Sequence, residues 1–187
     1  NKHGNNIHTI PGIERLVFRL TLFDFDDDGC DEIFAIENRT IAHAIDLDSV
    51  EIKTIWRKPL TVPYEYINWE NPRGRFYPFS LISEDLDNDG KNEIIGGDVF
   101  FNKQSVLVTD LNGNPHWISE NIPWFNNRGD RQTEFYSTAF VGAADFFTEY
   151  PGKEILAVSG GNFRLFDKSG NKLGESDCLI GFTDFTI

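Results

Sequence analysis

The chain has 187 residues, 40% of them hydrophobic and 14% aromatic, which is enough to bury one sizeable core. Its formal net charge of −13 leaves no basic surface for phosphate recognition, so nucleic acid is not an expected partner. No apolar run approaches the roughly 20 residues of a membrane-spanning helix, and no secretory leader stands at the N-terminus.

In chain order, the first expected element is a strand, Leu16 to Phe23, that runs into an acidic loop. The loop, Asp24-Phe25-Asp26-Asp27-Asp28-Gly29-Cys30-Asp31-Glu32-Ile33, reads D-x-D-x-D-G-x-x-E-I. A strand from Glu32 to Glu37 leaves it, a second runs from Ile41 to Asp46, and a third from Val50 to Trp56. The same order then restarts. Phe79-Ser80-Leu81-Ile82 leads into Asp85-Leu86-Asp87-Asn88-Asp89-Gly90-Lys91-Asn92-Glu93-Ile94, which has the same pattern. Strands Glu93 to Gly97, Ser105 to Asp110 and Pro115 to Ser119 follow. A third unit enters on Thr138 to Val141 and continues through Glu154 to Ser159, Phe163 to Asp167 and Lys172 to Gly174. Its loop, from Asp145 to Ile155, keeps the first Asp, but Phe147 replaces the second carboxylate and one residue is inserted. The loops begin at residues 24, 85 and 145, a period of about 60. Gly181-Phe182-Thr183-Asp184-Phe185 resembles Gly142-Ala143-Ala144-Asp145-Phe146, which reads as the start of a fourth unit.

Four carboxylates in a nine-residue loop repel one another. At ~4 Å a pair costs roughly 4 kcal/mol at an effective dielectric of 20, and a hard cation among them removes that cost. A ligand set made only of oxygens favours Ca²⁺. The loop is not an EF-hand, whose bidentate Glu stands at position twelve. Here position twelve is Ala35 or Gly96, and the closing acids are Glu32 and Glu93 at position nine. An acidic Asp/Gly surface turn is the plain alternative for one such loop. Two with matching flanks favour metal. The third is expected to bind Ca²⁺ weakly or not at all.

β-Branched and aromatic runs between turn signals recur, and no segment sustains a helical apolar pattern. Gly113 and Gly170 sit where short hairpin turns need positive φ. Repeated four-stranded antiparallel units imply an all-β fold of β-propeller blades, with the strand before each loop innermost. The blades are expected at about residues 15–57, 76–119 and 135–175, with a fourth starting at about 178–187. A β-sandwich is the runner-up, but it does not explain the period.

These strand-flanked loops resemble FG-GAP/VCBS-type repeats, which build the calcium-bearing propellers of integrin α-subunits, many bacterial surface proteins and some rhamnogalacturonan lyases. The resemblance spans roughly residues 15–175 and is specific in the first two loops. It implies side-chain ligation by Asp24, Asp26, Asp28 and Glu32, with the Cys30 carbonyl. In the second loop it implies Asp85, Asp87, Asp89 and Glu93, with the Lys91 carbonyl. Many members have Asp where this chain has Glu at position nine. The family implies a fold and a metal, not one function.

Three blades and a fragment fall short of the usual four to eight. The expectation is a part of a longer propeller, or copies that assemble, and the absence of Met agrees with a processed chain. Weak Ca²⁺ sites fill at extracellular calcium, which places the protein outside the cytoplasm or on a cell surface. Cys30 and Cys178 lie in the first and the incipient fourth unit, and a disulfide between them stays open. Asn38-Arg39-Thr40 matches a glycosylation sequon at a hairpin turn.

A second repeat lies in the connections. Trp69-Glu70-Asn71-Pro72-Arg73-Gly74 and Trp124-Phe125-Asn126-Asn127-Arg128-Gly129 each precede a loop and are each followed by Phe-Tyr. Trp69, Asn71, Arg73, Trp124, Asn126 and Arg128 could stack on and hydrogen-bond a sugar. Equally, the aromatic rings could cover a blade edge while Arg pairs with an acid. Arg128-Gly129-Asp130 spells an integrin-recognition tripeptide, but Arg73-Gly74-Arg75 at the matching place makes the Arg-Gly part of the connection. No catalytic constellation stands out: His3, His8, His43 and His116 are scattered, and no nucleophile elbow or phosphate loop is present. The leading expectation is a non-catalytic, Ca²⁺-stabilised module for glycan or protein binding. The alternatives are a subunit of a surface assembly or filament, and part of a polysaccharide lyase-like enzyme.

Overall fold

The computed structural model describes residues 17–24, 28–37, 41–46, 51–57, 78–98, 106–119, 124–125, 131–132, 140–159 and 162–177. Twelve strands form three four-stranded antiparallel sheets, each in simple sequence order. The first holds β1 (Val17–Phe23), β2 (Glu32–Glu37), β3 (Ile41–Asp46) and β4 (Glu51–Trp56). The second holds β5 (Pro78–Glu84), β6 (Glu93–Asp98), β7 (Val106–Thr109) and β8 (Pro115–Ile118). Between the second and third sheets, β9 (Trp124–Phe125) pairs with β10 (Arg131–Gln132). The third sheet holds β11 (Phe140–Ala144), β12 (Glu154–Ser159), β13 (Asn162–Phe166) and β14 (Lys172–Asp177). No helix occurs among the described residues.

Register repeats along with sequence. The acid at position nine opens the second strand of every sheet, so Phe23 faces Glu32, Glu84 faces Glu93 and Ala144 faces Glu154. The pairing of first and second strands slips at Val17/Arg19 in the first sheet and at the corresponding Pro78/Ser80 in the second. The two hairpins that close the second and third sheets are also copies. Asp110 takes the Asn114 N–H on Oδ1 and the Asn114 side-chain amide on Oδ2, each at 2.8 Å. Asp167 does the same for Asn171 at the same distances. Gly113 and Gly170 supply the positive φ, +73° and +85°.

The sheets stack through alternate faces of their strands. One core joins Phe23, Phe34, Ile36 and Ala42 of the first sheet to Leu81, Ile94, Leu107 and Ile118 of the second. The other face of the second sheet, through Ile95, Val106 and Val108, meets Val141, Ile155, Ala157 and Phe166 of the third. Because the second sheet is covered on both sides, all four residues of β7 are buried. Trp117 belongs to this second core, with its ring centroid 5.9 Å from that of Phe166. Its Nε1–H donates to the Lys168 carbonyl at 2.9 Å, and a Cβ at Gly170 would lie 2.7 Å from its ring. The side chain of Trp56, at the end of the equivalent strand of the first sheet, lies outside the described residues.

The first strands of the three sheets are neighbours, β1 beside β5 and β5 beside β11. The Val141 N–H donates to Ser80 Oγ across that gap at 3.1 Å. The loops that follow these strands touch as well. Lys153 donates its N–H to the Leu86 carbonyl at 2.8 Å, and its ammonium pairs with Glu84. That pair is partly exposed and worth at most about 1 kcal/mol.

Gly152 is pinned at this junction. Its φ is +95°, and a Cβ there would collide with the Leu86 carbonyl. Gly90, at φ +85°, has open space around it. Gly90→Ala is expected to cost about 1–2 kcal/mol, the strain of a left-handed non-glycine residue. Gly152→Ala adds overpacking of about 1–3 kcal/mol. Urea denaturation checks this: equal losses in the two variants would show that the loops of the second and third sheets are not in contact.

Candidate metal centre

The turn from first to second strand must satisfy its own backbone donors, since it leaves the ladder on both sides. In the second sheet Asp85 does most of this. Its Oδ1 accepts the Asp89 N–H at 3.1 Å and its Oδ2 the Gly90 N–H at 2.9 Å. Asp89 Oδ1 then accepts the Lys91 N–H at 2.8 Å. Asn88, at φ +61°, and Gly90 supply the left-handed conformations that curl the loop. Asp85, Asp87 and Asp89 are thereby brought together, with one carboxylate oxygen from each within 4.8 Å of the others. Asp87 and Asp89 are exposed and Asp85 is half-buried. This oxygen-only group could hold a metal ion. Each carboxylate oxygen has two lone pairs, so an N–H bond on one side leaves it able to ligate on the other.

The first loop has the same wiring. Asp24 accepts the Asp28 N–H at 3.1 Å and the Gly29 N–H at 2.8 Å, and Asp28 Oδ1 accepts the Cys30 N–H at 2.8 Å. Gly29 has φ +89°. Asp26, the third expected side-chain ligand of this loop, lies outside the described residues. Cys30 is exposed at the loop surface, and Cys178 lies outside the described residues.

Glu93 stands apart from the Asp group. It is buried, and its Oε2 accepts the Leu86 N–H at 3.0 Å. Burial holds its carboxyl above the usual range, the Leu86 N–H opposes this, and the charge of Asp87 adds to it. Lys91, expected only to offer its carbonyl, also reaches the acids with its side chain. Its ammonium bonds Asp89 Oδ2 at 3.1 Å, lowering the Asp89 pKa and raising its own.

The third loop shows what the position-nine acid does without its Asp partners. Glu154 is 1% exposed, and its Oε2 accepts the N–H groups of both Phe146 and Phe147, at 2.7 and 3.1 Å. A buried carboxylate therefore latches the loop from beneath in the second and third sheets. Sequence reasoning had assigned this position to metal alone in the first two loops. The signal it passed over was that Glu154 survives in the loop that lost Phe147's acidic counterpart.

One pocket of about 100 Å³ adjoins the second loop, lined by Asp87, Glu93, His116, Lys168, Ser169, Leu86 and Val108. His116 is brought here by the β7–β8 hairpin, a proximity that scattered histidines in the sequence did not reveal. Of the repeated connection, Trp124 falls in β9. Trp69, Asn71, Arg73, Asn126 and Arg128 lie outside the described residues, as do the sequon and residues 178–187.

Removing Glu154 strands the part-buried N–H groups of Phe146 and Phe147, each costing up to roughly 1–3 kcal/mol. Glu154→Ala is therefore expected to lose about 2–5 kcal/mol equally in calcium and in EDTA, read by chemical denaturation. A loss confined to calcium would make Glu154 a ligand rather than a latch. The chain matches no family model, and no curated protein matches it.

Proposed function

We propose that the chain is a non-catalytic, Ca²⁺-stabilised β-propeller module, outside the cytoplasm or on a cell surface, that presents its loops to a glycan or protein partner. The observation that carries this reading is one loop geometry recurring at one place in successive sheets. Asp24 and Asp28 hold their turn as Asp85 and Asp89 hold theirs, bond for bond. The Asp85–Asp87–Asp89 group concentrates negative charge, and among the described residues Lys91 is the cation paired with it. A divalent cation relieves that repulsion, and all-oxygen ligation at an exposed site favours Ca²⁺ over the smaller Mg²⁺.

Two further features support blades. First strands β1, β5 and β11 are neighbours, as innermost strands around a common axis are. Each sheet also uses the same alternate face toward its successor: Phe34 and Ile36 in the first, Ile95 in the second. The resemblance to FG-GAP/VCBS-type repeats points the same way. The Trp-x-Asn-x-Arg-Gly connections remain the candidate sugar contacts.

Asp87→Ala separates the metal from the scaffold. It is exposed, and is expected to lower the melting temperature by several degrees in millimolar Ca²⁺ while leaving the EDTA melt unchanged. Equal losses in both would remove Asp87 from the ligand set. Glycan-array and pull-down screens in Ca²⁺ test the binding role, and blanks in both would contradict it.

A further inference from the structure

The third loop grips the part of the second loop that carries its first two carboxylates. Leu86 stands between Asp85 and Asp87, and its side chain and both of its backbone groups are held. The side chain is 2% exposed, in the core shared with Val141, Ile155 and Phe166 of the third sheet. Its N–H donates to Glu93 at 3.0 Å, and its carbonyl accepts the Lys153 N–H at 2.8 Å. The Lys153 ammonium reaches Glu84, the residue before Asp85. Gly152 lies so close that a Cβ on it would collide with the Leu86 carbonyl and lie 3.4 Å from the Asp87 Cα. Residues 84–87 are thus fixed from the third loop by two neighbours in sequence, Gly152 and Lys153. The other half of the second loop is open. Asp89, Gly90 and Lys91 are exposed, and a Cβ on Gly90 would meet nothing within 4 Å.

We infer that Gly152 and Lys153 are positioning residues for the cation group of the second loop, so that cation binding there and docking of the third loop strengthen each other. Carboxylate oxygens held within 4.8 Å of one another repel. A loop free to splay relieves that repulsion by moving Asp85 and Asp87 apart. The third loop removes this freedom before the cation arrives, and a group organised in advance binds more tightly. Coupling of this kind is reciprocal, so the cation in turn holds the Lys153–Leu86 contact closed. The third loop, which carries Phe147 where the second has Asp87, then acts on a calcium site without ligating the ion. The inference rests on the metal reading proposed above and adds what tunes it.

The test is calorimetric Ca²⁺ titration of the whole chain in two backgrounds. Asp26→Ala removes a ligand expected in the first loop and leaves the ion of the second, and Asp87→Ala does the converse. Adding Gly152→Ala to Asp26→Ala is expected to weaken the remaining ion by at least about 5-fold, the low end of usual coupling between sites. Adding it to Asp87→Ala is expected to leave the remaining ion unchanged. Equal affinities with and without Gly152→Ala in the Asp26→Ala background would overturn the inference. Equal weakening in both backgrounds would overturn it too, since a general loss of structure does that. Amide hydrogen exchange needs no change at Gly152. The Lys153 N–H is expected to exchange at least about 5-fold more slowly in millimolar Ca²⁺ than in EDTA, in wild type and in Asp26→Ala but not in Asp87→Ala. Calcium bound by Asp26→Ala with Lys153 exchange unchanged would overturn the inference and leave the metal reading standing. No calcium bound in either background would overturn both.

Discussion

The second sheet is apolar on both faces, and neither can be left against water. Burying one large aliphatic side chain is worth roughly 1.5–3 kcal/mol, and this sheet buries Ile94 and Leu107 on one side, Ile95, Val106 and Val108 on the other. That requirement fixes a sheet above and a sheet below. Once the three are stacked, their first strands are brought side by side and the loops after them fall at one end, where Lys153 meets Leu86 and Glu84. The pocket lined by both the second loop and the Lys168–Ser169 turn is a consequence of that alignment.

The loops divide the labour between two kinds of carboxylate. The Asp at position one spends its oxygens on the turn's N–H groups and so sets the shape. The Glu at position nine works from the buried side, on Leu86 in the second loop and on Phe146 and Phe147 in the third. Asp28 and Asp89 each add one bond, to the Cys30 and Lys91 N–H groups, while Asp87 is exposed beside them and adds charge to a group that could hold a metal ion. The third loop carries Phe147 in the place of Asp87 and keeps Glu154, which bonds the loop's Phe146 and Phe147 N–H groups.

Much of this was legible in the sequence because the repeat is legible. A loop with a fixed order of Asp and Gly marks the change from first to second strand, and the strands around it follow within one to three residues. Boundaries failed where local signals misled. Gly174 reads as a stop, yet it pairs with Leu165, and β14 runs on to Asp177. β9 and β10 were not foreseen, because two-residue strands carry no periodicity. Glu93 was read as a metal ligand, and Glu154 only as the first residue of a strand. Their hydrogen bonds depend on burial, a property of the stacked sheets and not of the loop motif. His116 joins Glu93 only through the register of the β7–β8 hairpin and the packing of the third sheet against it.

The measurement that reaches the central claim most directly is a calorimetric titration of the EDTA-stripped, dialysed chain with Ca²⁺. The expected result is two bound ions per chain, one for each loop that keeps its alternating carboxylates, with the third loop silent. Absence of any calcium heat or stoichiometry would contradict the claim, leaving the Asp85–Asp87–Asp89 group as an acidic turn held by its own backbone hydrogen bonds.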